Sequence, residues 1–555
     1  AGGCLAPRVV RPEWFLPRDE KPAGSGPKPK GRVAGRVSEL SAWMEVLEGV
    51  EDWGDYEGAF PIAPGTGESA GWSMGLARSL ADLRRTLLDA GMNLAEAARR
   101  MKGSEDGARW MALGSLERRV DACLRDWGLV PRARLVLAGK RELPEAVERI
   151  VLAGVADLTP VVEGVIAQAG RPVDVLVGAP EEEGFDSWGR AAPEWWASQR
   201  IDLDEQAIHV CADVGHEAVV ARECVARAQT ASGDLALGTA DPGVVPELRR
   251  EFGKAGWELY DPAGRSLLDG GMMDWLGRWS EFLGSGEIRH LASLVTGASA
   301  GRIMRVSRYQ LSEALSLVRS ELMPQRIDDL RRLAGAEWLE NAGKWEAALL
   351  VKVRKVLEEI RPLLDWRERF RTDDFCGLLG EFLAVIGPKP GEDAEADELR
   401  VAGEEFLAEV DGFREVIDRR GPGFGFSLFG QLVATRRLGA EEGDTVLDVQ
   451  GWIEMAFDPA AHVVVCGMNE ACVPERLGGD PWLNESVREY LGMESEARRE
   501  ARDSWLLKNL TEARKAAGRV DLLCGRVSAT GEGMLPSRLL MRCGTDALAE
   551  RVLHV

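Results

Sequence analysis

Residues 445–475 read TVLDVQGWIEMAFDPAAHVVVCGMNEACVPE and contain two short apolar segments, each running into a glycine and a polar cluster. The segments, residues 445–449 and 461–466, have the length and β-branched composition of buried strands. In open α/β sheets the carboxyl ends of the strands form the binding crevice, so polar residues that follow such strands are candidates for a functional site. The candidates here are Gln450, Gly451, Glu454, Asn469 and Glu470.

Further polar motifs follow these strands along the chain. DPWLN occupies residues 480–484, Arg488 follows it, and residues 536–538 read PSR. The order of these motifs resembles the second motor domain of the UvrD-like helicase superfamily, in the version carried by AddB-type subunits of bacterial helicase–nucleases. The resemblance is close in residues 447–542 and fainter elsewhere. It implies that the polar residues frame a nucleic-acid crevice, which adds Arg488, Ser537 and Arg538 to the DNA-binding candidates.

A structural interpretation of the same residues stays open. The glycines can simply end strands, Asn469 and Glu470 can cap the next element, and Arg488 can form a surface ion pair. Thr239 and Asp241 follow another apolar segment, and we expect them to form a turn rather than to bind a ligand.

The size and charge of the chain limit the possible number of domains and the possible partners. Its 555 residues are too many for one hydrophobic core, so about three or four domain-sized units are expected. No run of about 18 apolar residues occurs, so we expect no membrane partner. The net charge of −22 argues against nucleic-acid binding over the whole surface, although it permits a DNA channel lined locally by Arg and Lys.

The nine cysteines are few and odd in number, and most lie in apolar segments, as do Cys123, Cys211 and Cys466. We therefore expect reduced, buried thiols in a cytoplasmic protein. The first residues, AGGCLAPRVV, have neither a signal-peptide organisation nor an initiator Met. We interpret the chain as a fragment whose natural start lies upstream.

Helical and strand patterns alternate along the chain. Leucines at helical spacing from residue 76 predict a helical segment that continues to about residue 127. Short strands are predicted within residues 132–139, 148–160 and 171–180, and strands alternate with helices through residues 207–268. Strand signals nearly vanish between about residues 268 and 440, which predicts a helical block, and they return at residue 445.

The resemblance implies an α/β fold with two RecA-like (P-loop NTPase-like) domains and helical insertions, as in UvrD-like helicases. An incomplete first RecA-like domain would comprise residues 1–70 and 129–204, with residues 71–128 as its helical, 1B-like insertion. The second would comprise residues 205–267 and 441–555, with residues 268–440 as its helical, 2B-like insertion.

The phosphate-binding loop of an active motor is missing from the sequence. Such a loop has the form GxxxxGK[ST], and the Gly-Lys pairs at residues 139–140, 253–254 and 343–344 lack both the earlier glycine and the Ser or Thr. Where the superfamily holds an acidic, magnesium-binding pair, a predicted strand ends in Ala153 and Gly154. Asp157 lies three residues later and is expected to cap a helix rather than to bind a metal.

Two arginines of the family's ATP site are also replaced. Met455 follows the glutamate of the GxxE motif where the family has an arginine, and Gly525 stands at a second arginine position. Loss of arginines that contact the transferring phosphate lowers the rate of phosphoryl transfer by about 10³-fold or more. We therefore expect a degenerate ATP site, no cofactor in this chain, and ATP and Mg²⁺ in a partner subunit.

No hydrolytic or zinc constellation stands out in the sequence, so no catalytic residue is predicted. The 18 tryptophans could stack on bases in a single-strand groove, but those on apolar helical faces, such as Trp345 and Trp505, are expected to pack in a core. AddB-type proteins carry a PD-(D/E)xK nuclease and an iron–sulfur cluster beyond the PSR motif. The resemblance therefore implies both in a parent protein, beyond Val555.

Together these features predict a non-motor, DNA-guiding scaffold region of a helicase–nuclease that acts in double-strand DNA break repair and recombination. Its partners would be DNA and an AddA-like helicase–nuclease subunit. Two alternatives stay open. One is a truncated, active UvrD-like ATP-dependent DNA helicase whose phosphate loop lies upstream, and the other is a protein-interaction scaffold that binds no DNA.

Overall fold

The computed structural model describes residues 8–16, 32–65, 71–139, 143, 147–179, 181–229, 234–304, 307–439 and 446–555. Within these ranges the fold is mixed α/β, with a six-stranded parallel sheet and a large set of helices. No helix in these ranges is long and apolar enough to cross a membrane.

The first 200 residues form mainly helices and two small parallel sheets, in which β1 pairs with β2 and β3 with β4. The strands are β1 (Arg32–Val33), β2 (Leu129–Val130), β3 (Ile150–Ala153) and β4 (Val173–Leu176). The helices are α1 (Arg36–Glu48), α2 (Trp72–Asp89), α3 (Leu94–Arg100), α4 (Gly107–Asp126), α5 (Arg132–Leu137), α6 (Pro160–Gln168) and α7 (Pro193–Trp196).

The structure corrects one predicted strand and confirms two. Residues 132–139 were expected to form a strand, but most of this segment forms α5. The buried residues Ala133 and Val136 are three positions apart, which places them on one face of a helix. The strands predicted within residues 148–160 and 171–180 are present as β3 and β4.

The second part of the chain alternates strands and helices before a long helical segment. Its alternating elements are β5 (Ile208–Cys211), α8 (Val214–Gln229), β6 (Leu235–Thr239), α9 (Val245–Lys254) and β7 (Glu258–Tyr260). The helical segment opens with β8 (Arg265–Ser266) and closes with β9 (Arg437–Leu438), which pair with each other in antiparallel fashion. Its helices are α10 (Gly271–Ser285), α11 (Ile288–Thr296), α12 (Ala300–Ile303), α13 (Arg308–Leu322), α14 (Ile327–Ala334), α15 (Glu337–Ala342), α16 (Lys344–Glu359), α17 (Arg361–Thr372), α18 (Phe375–Ile386), α19 (Ala394–Val410), α20 (Arg414–Arg420) and α21 (Pro422–Val433).

Strands return in the last part of the chain. The elements are β10 (Val446–Gly451), α22 (Trp452–Met455), β11 (His462–Cys466), α23 (Glu485–Leu491), α24 (Glu496–Glu512), β12 (Arg519–Gly525) and α25 (Leu548–His554). Three of these strands join β5, β6 and β7 in one sheet, with the order β5–β12–β11–β6–β10–β7 and all neighbours parallel. The long helical segment therefore connects two halves of a single sheet.

The register brings the ends of five strands to one edge of the sheet. Thr239 lies opposite both Gly451 and Cys466, and Gly525 lies opposite Cys211. We call the edge marked by these five residues the carboxyl edge.

Both faces of the sheet are covered, which explains the unbroken apolar run of β11. All five residues of β11 are buried. Val463 and Val465 pack in the cluster that contains Trp505 of α24, whereas Val464 and Cys466 pack in the cluster formed with α8 and α9. Because successive side chains point to opposite faces, a strand with a helix layer on each side has no exposed position.

The helices before β2 and those between β8 and β9 share one hydrophobic core. Aromatic rings fill its centre: Trp279 and Phe382 lie 4.9 Å apart between ring centroids, and Trp127 stacks on Phe413 at 4.3 Å. At its edge, Nη1 of Arg420 lies 2.7 Å from Oε1 of Glu48. Helices α1 to α4 therefore share their core with the long helical segment.

Candidate nucleic-acid interface

Asn469 ties two loops together at the carboxyl edge. Its side-chain amide is fully buried and donates to the carbonyl oxygens of Gly525, at 2.7 Å, and Leu535, at 3.1 Å. Its carbonyl oxygen accepts from the backbone N–H of Gly525 at 3.1 Å. The bonds fix the loop after β11 to the end of β12, so in this conformation the amide faces other loops and not solvent.

Ser537 closes the same junction from the other side. Its buried hydroxyl donates to the carbonyl oxygen of Val473, and its backbone N–H donates to that of Met468 at 2.9 Å. The PSR motif and the loop after β11, which the sequence places about 70 residues apart, thus form one hydrogen-bonded unit.

Arg538 and Glu470 form an ion pair at the surface of this unit. Nε of Arg538 donates to Oε1 of Glu470 at 2.9 Å, and a second guanidinium nitrogen lies 3.4 Å from Oε2 of Glu500. The hydrogen bonds from Arg538 hold the pKa of the Glu470 carboxyl below its ordinary value. Half of the Arg538 side chain is exposed, so this arginine can still reach a phosphate while it is paired.

Arg488 lies inside the fold. Its side chain is buried on α23, where Nε donates to the carbonyl oxygen of Leu483 at 3.2 Å. Asn484, from the DPWLN motif, caps the same helix by accepting from the N–H of Val487 at 2.9 Å. The surface ion pair considered above for Arg488 is absent from its described contacts.

The three candidates around α22 are Gln450 and Gly451, which end β10, and Glu454, which lies in the helix. Nε2 of Gln450 donates to Oδ2 of Asp458 at 2.5 Å, and Gly451 occupies the N-cap position of α22. Glu454 is exposed, and its carboxylate lies so close to Gly451 that a Cβ there would stand 2.6 Å from Oε2. DNA contact by the eight candidates stays a prediction, and those that reach the surface are Gln450, Gly451, Glu454, Glu470 and Arg538.

Met455 and Gly525, where the resemblance implies arginines, are closely packed. Met455 is fully buried, and its sulfur packs against β6 so closely that a Cβ on Gly238 would lie 2.5 Å away. A Cβ on Gly525 would lie 3.2 Å from Oε2 of the buried Glu217. Both positions are therefore packed against neighbouring buried groups.

Asp157 forms an ion pair and not a helix cap. The residue at the N-cap of α6 is Thr159, so the cap predicted for Asp157 is wrong. Its Oδ1 instead lies 2.8 Å from Nη1 of Arg502 on α24, and Nε of Arg502 lies 2.8 Å from Oδ1 of the buried Asp503. The segment after β3 is thereby attached to the helix layer of the six-stranded sheet.

Glu217 is a buried acid that the sequence did not single out. It lies in the first turn of α8, where Oε1 accepts from the backbone N–H of Gly467 at 2.6 Å and Oε2 has no hydrogen-bond partner among the described residues. Burial raises the pKa of this carboxyl to about 7, and the nearby Asp241 acts in the same direction. A glutamate in an amphipathic helix gives no sequence signal of this kind, because its burial depends on a loop about 250 residues away.

Thr239 and Asp241 form a turn, as predicted. The hydroxyl of Thr239 donates to the carbonyl oxygen of Asp241 at 2.9 Å, and Oδ1 of Asp241 accepts from the N–H of Gly243 at 2.8 Å. The buried thiols of Cys211 and Cys466 are also confirmed, and both are free, whereas Cys123, expected to be buried as well, is only partly buried.

Exposed aromatic residues are concentrated on three neighbouring helices. Trp505 is buried as predicted, but the core position predicted for Trp345 is wrong, because this side chain on α16 is 55% exposed. Tyr309 on α13 is 78% exposed and Trp338 on α15 is 61% exposed, and both helices pack on α16. The sequence does not predict that these side chains are exposed. An aromatic residue on an amphipathic helix can face the core or the solvent, depending on how the neighbouring helices pack.

Exposed basic residues without an ion pair occur on two of the same helices. Arg308 and Arg319 on α13 and Lys344 and Lys352 on α16 are exposed, and no ion pair to them occurs in the described part of the chain. Between residues 302 and 371 the sequence has 15 Lys and Arg against 11 Asp and Glu, whereas the whole chain has 69 against 91. We call the three aromatic and four basic residues the α13–α16 surface.

Comparison with known proteins adds no family to this description. No family model matches the chain, and no curated protein matches its sequence.

Proposed function

We propose that the chain is a non-motor scaffold that guides single-stranded DNA, as part of a helicase–nuclease in double-strand break repair. The observation that carries the proposal is the α13–α16 surface, which combines exposed aromatic rings with unpaired cations in an otherwise acidic protein. Aromatic side chains stack on bases without sequence preference, and Lys and Arg bind the phosphates between them.

The parallel sheet supports the arrangement of RecA-like domains that the proposal implies. Six parallel strands with helices on both faces, drawn from either side of a helical segment, agree with a second RecA-like domain that carries a 2B-like insertion. On this assignment, β3, β4 and α6 belong to an incomplete first RecA-like domain. A motor role has less support, because Met455 and Gly525 are packed where the family's arginines would stand.

The proposal is tested by replacing Tyr309, Trp338 and Trp345 together with Ala. We expect binding of a fluorescently labelled single-stranded oligonucleotide to weaken by at least about tenfold in anisotropy titrations, since the stacking of one base on an aromatic ring is typically worth ~1–3 kcal/mol. Tyr490→Ala is the matched control, because this residue is 61% exposed on α23, outside the surface. Its affinity should equal that of the unmodified protein.

The outcome also separates the alternatives. If the unmodified protein binds no single-stranded DNA even at low salt, the protein-interaction scaffold is the better interpretation. If the triple variant binds as well as the control but Arg538→Ala weakens binding, the interface lies at the carboxyl edge. Phosphate release from ATP that depends on DNA would favour the truncated helicase.

A further inference from the structure

Three side chains of types that can bind a metal meet between the six-stranded sheet and α8, nearer the strand starts than the carboxyl edge. The cluster combines His209 of β5, Cys224 of α8 and Asp521 of β12, whose ligand atoms all lie within 4.8 Å of one another. Nε2 of His209 is 2.7 Å from Oδ1 of Asp521, although the two residues are 312 positions apart in the chain. Nothing in the sequence pattern brings them together, because only the strand order β5–β12 does so.

We propose that His209, Cys224 and Asp521 bind a zinc ion. A thiolate, an imidazole nitrogen and a carboxylate oxygen are the three ligand types that zinc takes in proteins. Cys224 and Asp521 are fully buried, whereas about a fifth of the His209 side chain is exposed. Solvent can therefore supply the fourth ligand of a tetrahedral site from the His209 side.

The cluster must adjust to hold the ion. Two ligands at about 2.0 Å from a tetrahedral zinc ion are roughly 3.3 Å apart, whereas the ligand atoms here lie within 4.8 Å of one another and His209 and Asp521 approach to 2.7 Å. His209 and Asp521 must therefore separate by about half an ångström to admit the ion. The His209 ring is the member with room to move, because it is partly exposed.

Neighbouring side chains already orient the proposed ligands. Oδ2 of Asp521 lies 2.6 Å from Nε2 of His462 on β11, and both carboxylate oxygens accept from Arg519 at 2.9 Å. Nη2 of Arg227 lies 3.0 Å from the sulfur of Cys224. Metal-binding carboxylates and thiolates typically have such hydrogen-bond support from a second layer of residues.

Zinc binds the deprotonated forms of its ligands, so binding at this cluster would release protons. Zinc affinity should therefore rise with pH, because protons compete for the site.

The test uses the full chain after treatment with a chelator and dialysis. We expect one equivalent of zinc to bind, measured by elemental analysis and by competition with a chromophoric chelator. Cobalt in place of zinc should show a thiolate-to-metal absorption band. Cys224→Ala and His209→Gln should abolish both signals, and His462→Gln, which removes support from Asp521, should weaken zinc affinity by ~10–100-fold.

Two control variants and a folding check make the result decisive. Cys376→Ala and His290→Gln replace a cysteine and a histidine in the long helical segment, and both should bind zinc like the unmodified chain. Cys224→Ala is the key variant, because it removes one small buried side chain and its folding can be verified by thermal unfolding without metal. If the unmodified chain binds no zinc, or if folded Cys224→Ala binds it equally well, the site does not exist and the cluster is a metal-free charge network.

Discussion

Single buried polar residues decide how the carboxyl edge is built. Asn469 is a candidate DNA-binding residue in the sequence because it follows a predicted buried strand, and in the structure it lies just beyond the end of β11. Its role, however, is to satisfy the backbone groups of Gly525 and Leu535, which come from segments about 60 residues later. A sequence pattern can indicate that a polar residue stands at a strand end, but the partner that it bonds depends on the fold of the rest of the chain.

Asn469→Ala should destabilise the protein by about 2–4 kcal/mol. The change leaves the buried N–H and carbonyl groups of Gly525 without this partner, and an unsatisfied buried group costs ~1–3 kcal/mol. The carbonyl of Leu535 keeps its hydrogen bond from the N–H of Glu470. The free energy of unfolding, measured by urea denaturation, checks the prediction. Asn341→Ala is the control, because this exposed side chain bonds only within its own helix, and it should change the value by less than about 0.5 kcal/mol. A mild effect at Asn469 would show that the two loops hold together without it.

Glu217→Gln should alter how stability depends on pH. The folded-state pKa of Glu217 is raised, so the folded protein holds this proton more tightly than the unfolded chain, and the resulting stabilisation is present below about pH 4.5 and is lost as pH rises through about 7. Glutamine cannot ionise and keeps an acceptor for the N–H of Gly467. At pH 8 the variant should therefore be more stable than the unmodified protein by about 1–3 kcal/mol, and near pH 5 the difference should shrink.

Denaturant unfolding at the two pH values measures this difference directly. Glu223→Gln, on an exposed position of the same helix, is the control and should show no such pH trend. Equal stability of Glu217→Gln and the unmodified protein at pH 8 would mean that the buried carboxylate finds another stabilising partner.

At the scale of elements, apolar segments of the sequence predict strands, but a short apolar segment does not distinguish a strand from a helix. The strands predicted at residues 445–449 and 461–466 correspond to β10 and β11, although residue 445 lies outside the described residues. In β11 every position is buried, as expected for a strand covered on both faces, whereas β10 exposes Asp448. The segment at 132–139 has a similar apolar content and forms a helix, since a short run of this kind has no length or periodicity to separate the two states. Strand order could not be predicted, because it depends on pairings across the long helical segment.

Gly238→Ala should destabilise the sheet by about 1–3 kcal/mol, because the new methyl group would stand 2.5 Å from the sulfur of Met455 in a fully packed layer. Gly277→Ala should have the opposite sign, with a gain of about 0.5–1 kcal/mol, because Gly277 is exposed within α10 and has open space beside it. Thermal unfolding of the two variants compares them under one condition. A stabilising effect of Gly238→Ala would contradict the tight packing of α22 on β6.

For the whole molecule, the domain boundaries drawn from the sequence stay predictions, but the cores show which parts pack together. The helices from 36 to 126 share a core with those from 271 to 433, while the six-stranded sheet has its own clusters on its two faces. Trp482, beyond β11, links the two regions through a 2.7 Å hydrogen bond to Ser79. Residues distant in sequence thus meet in one helical body, which hydrophobic periodicity cannot reveal because it reports one element at a time.

The charge distribution of the whole molecule leads to a final prediction about DNA. A chain with a net charge of −22 repels DNA on average, so any affinity must come from a local excess of cations such as the α13–α16 surface.

Replacing Arg319 and Lys352 with Glu should weaken single-stranded DNA binding and make the salt dependence shallower by ~0.7 in log–log slope for each phosphate that is no longer neutralised. Arg78→Glu with Arg118→Glu is the matched control, since these exposed residues on α2 and α4 give the same change in net charge elsewhere. Titrations of both variants at several salt concentrations test this prediction. An equal loss of affinity in both variants would show that DNA binding depends only on the net charge of the protein. The α13–α16 surface would then not be the binding site.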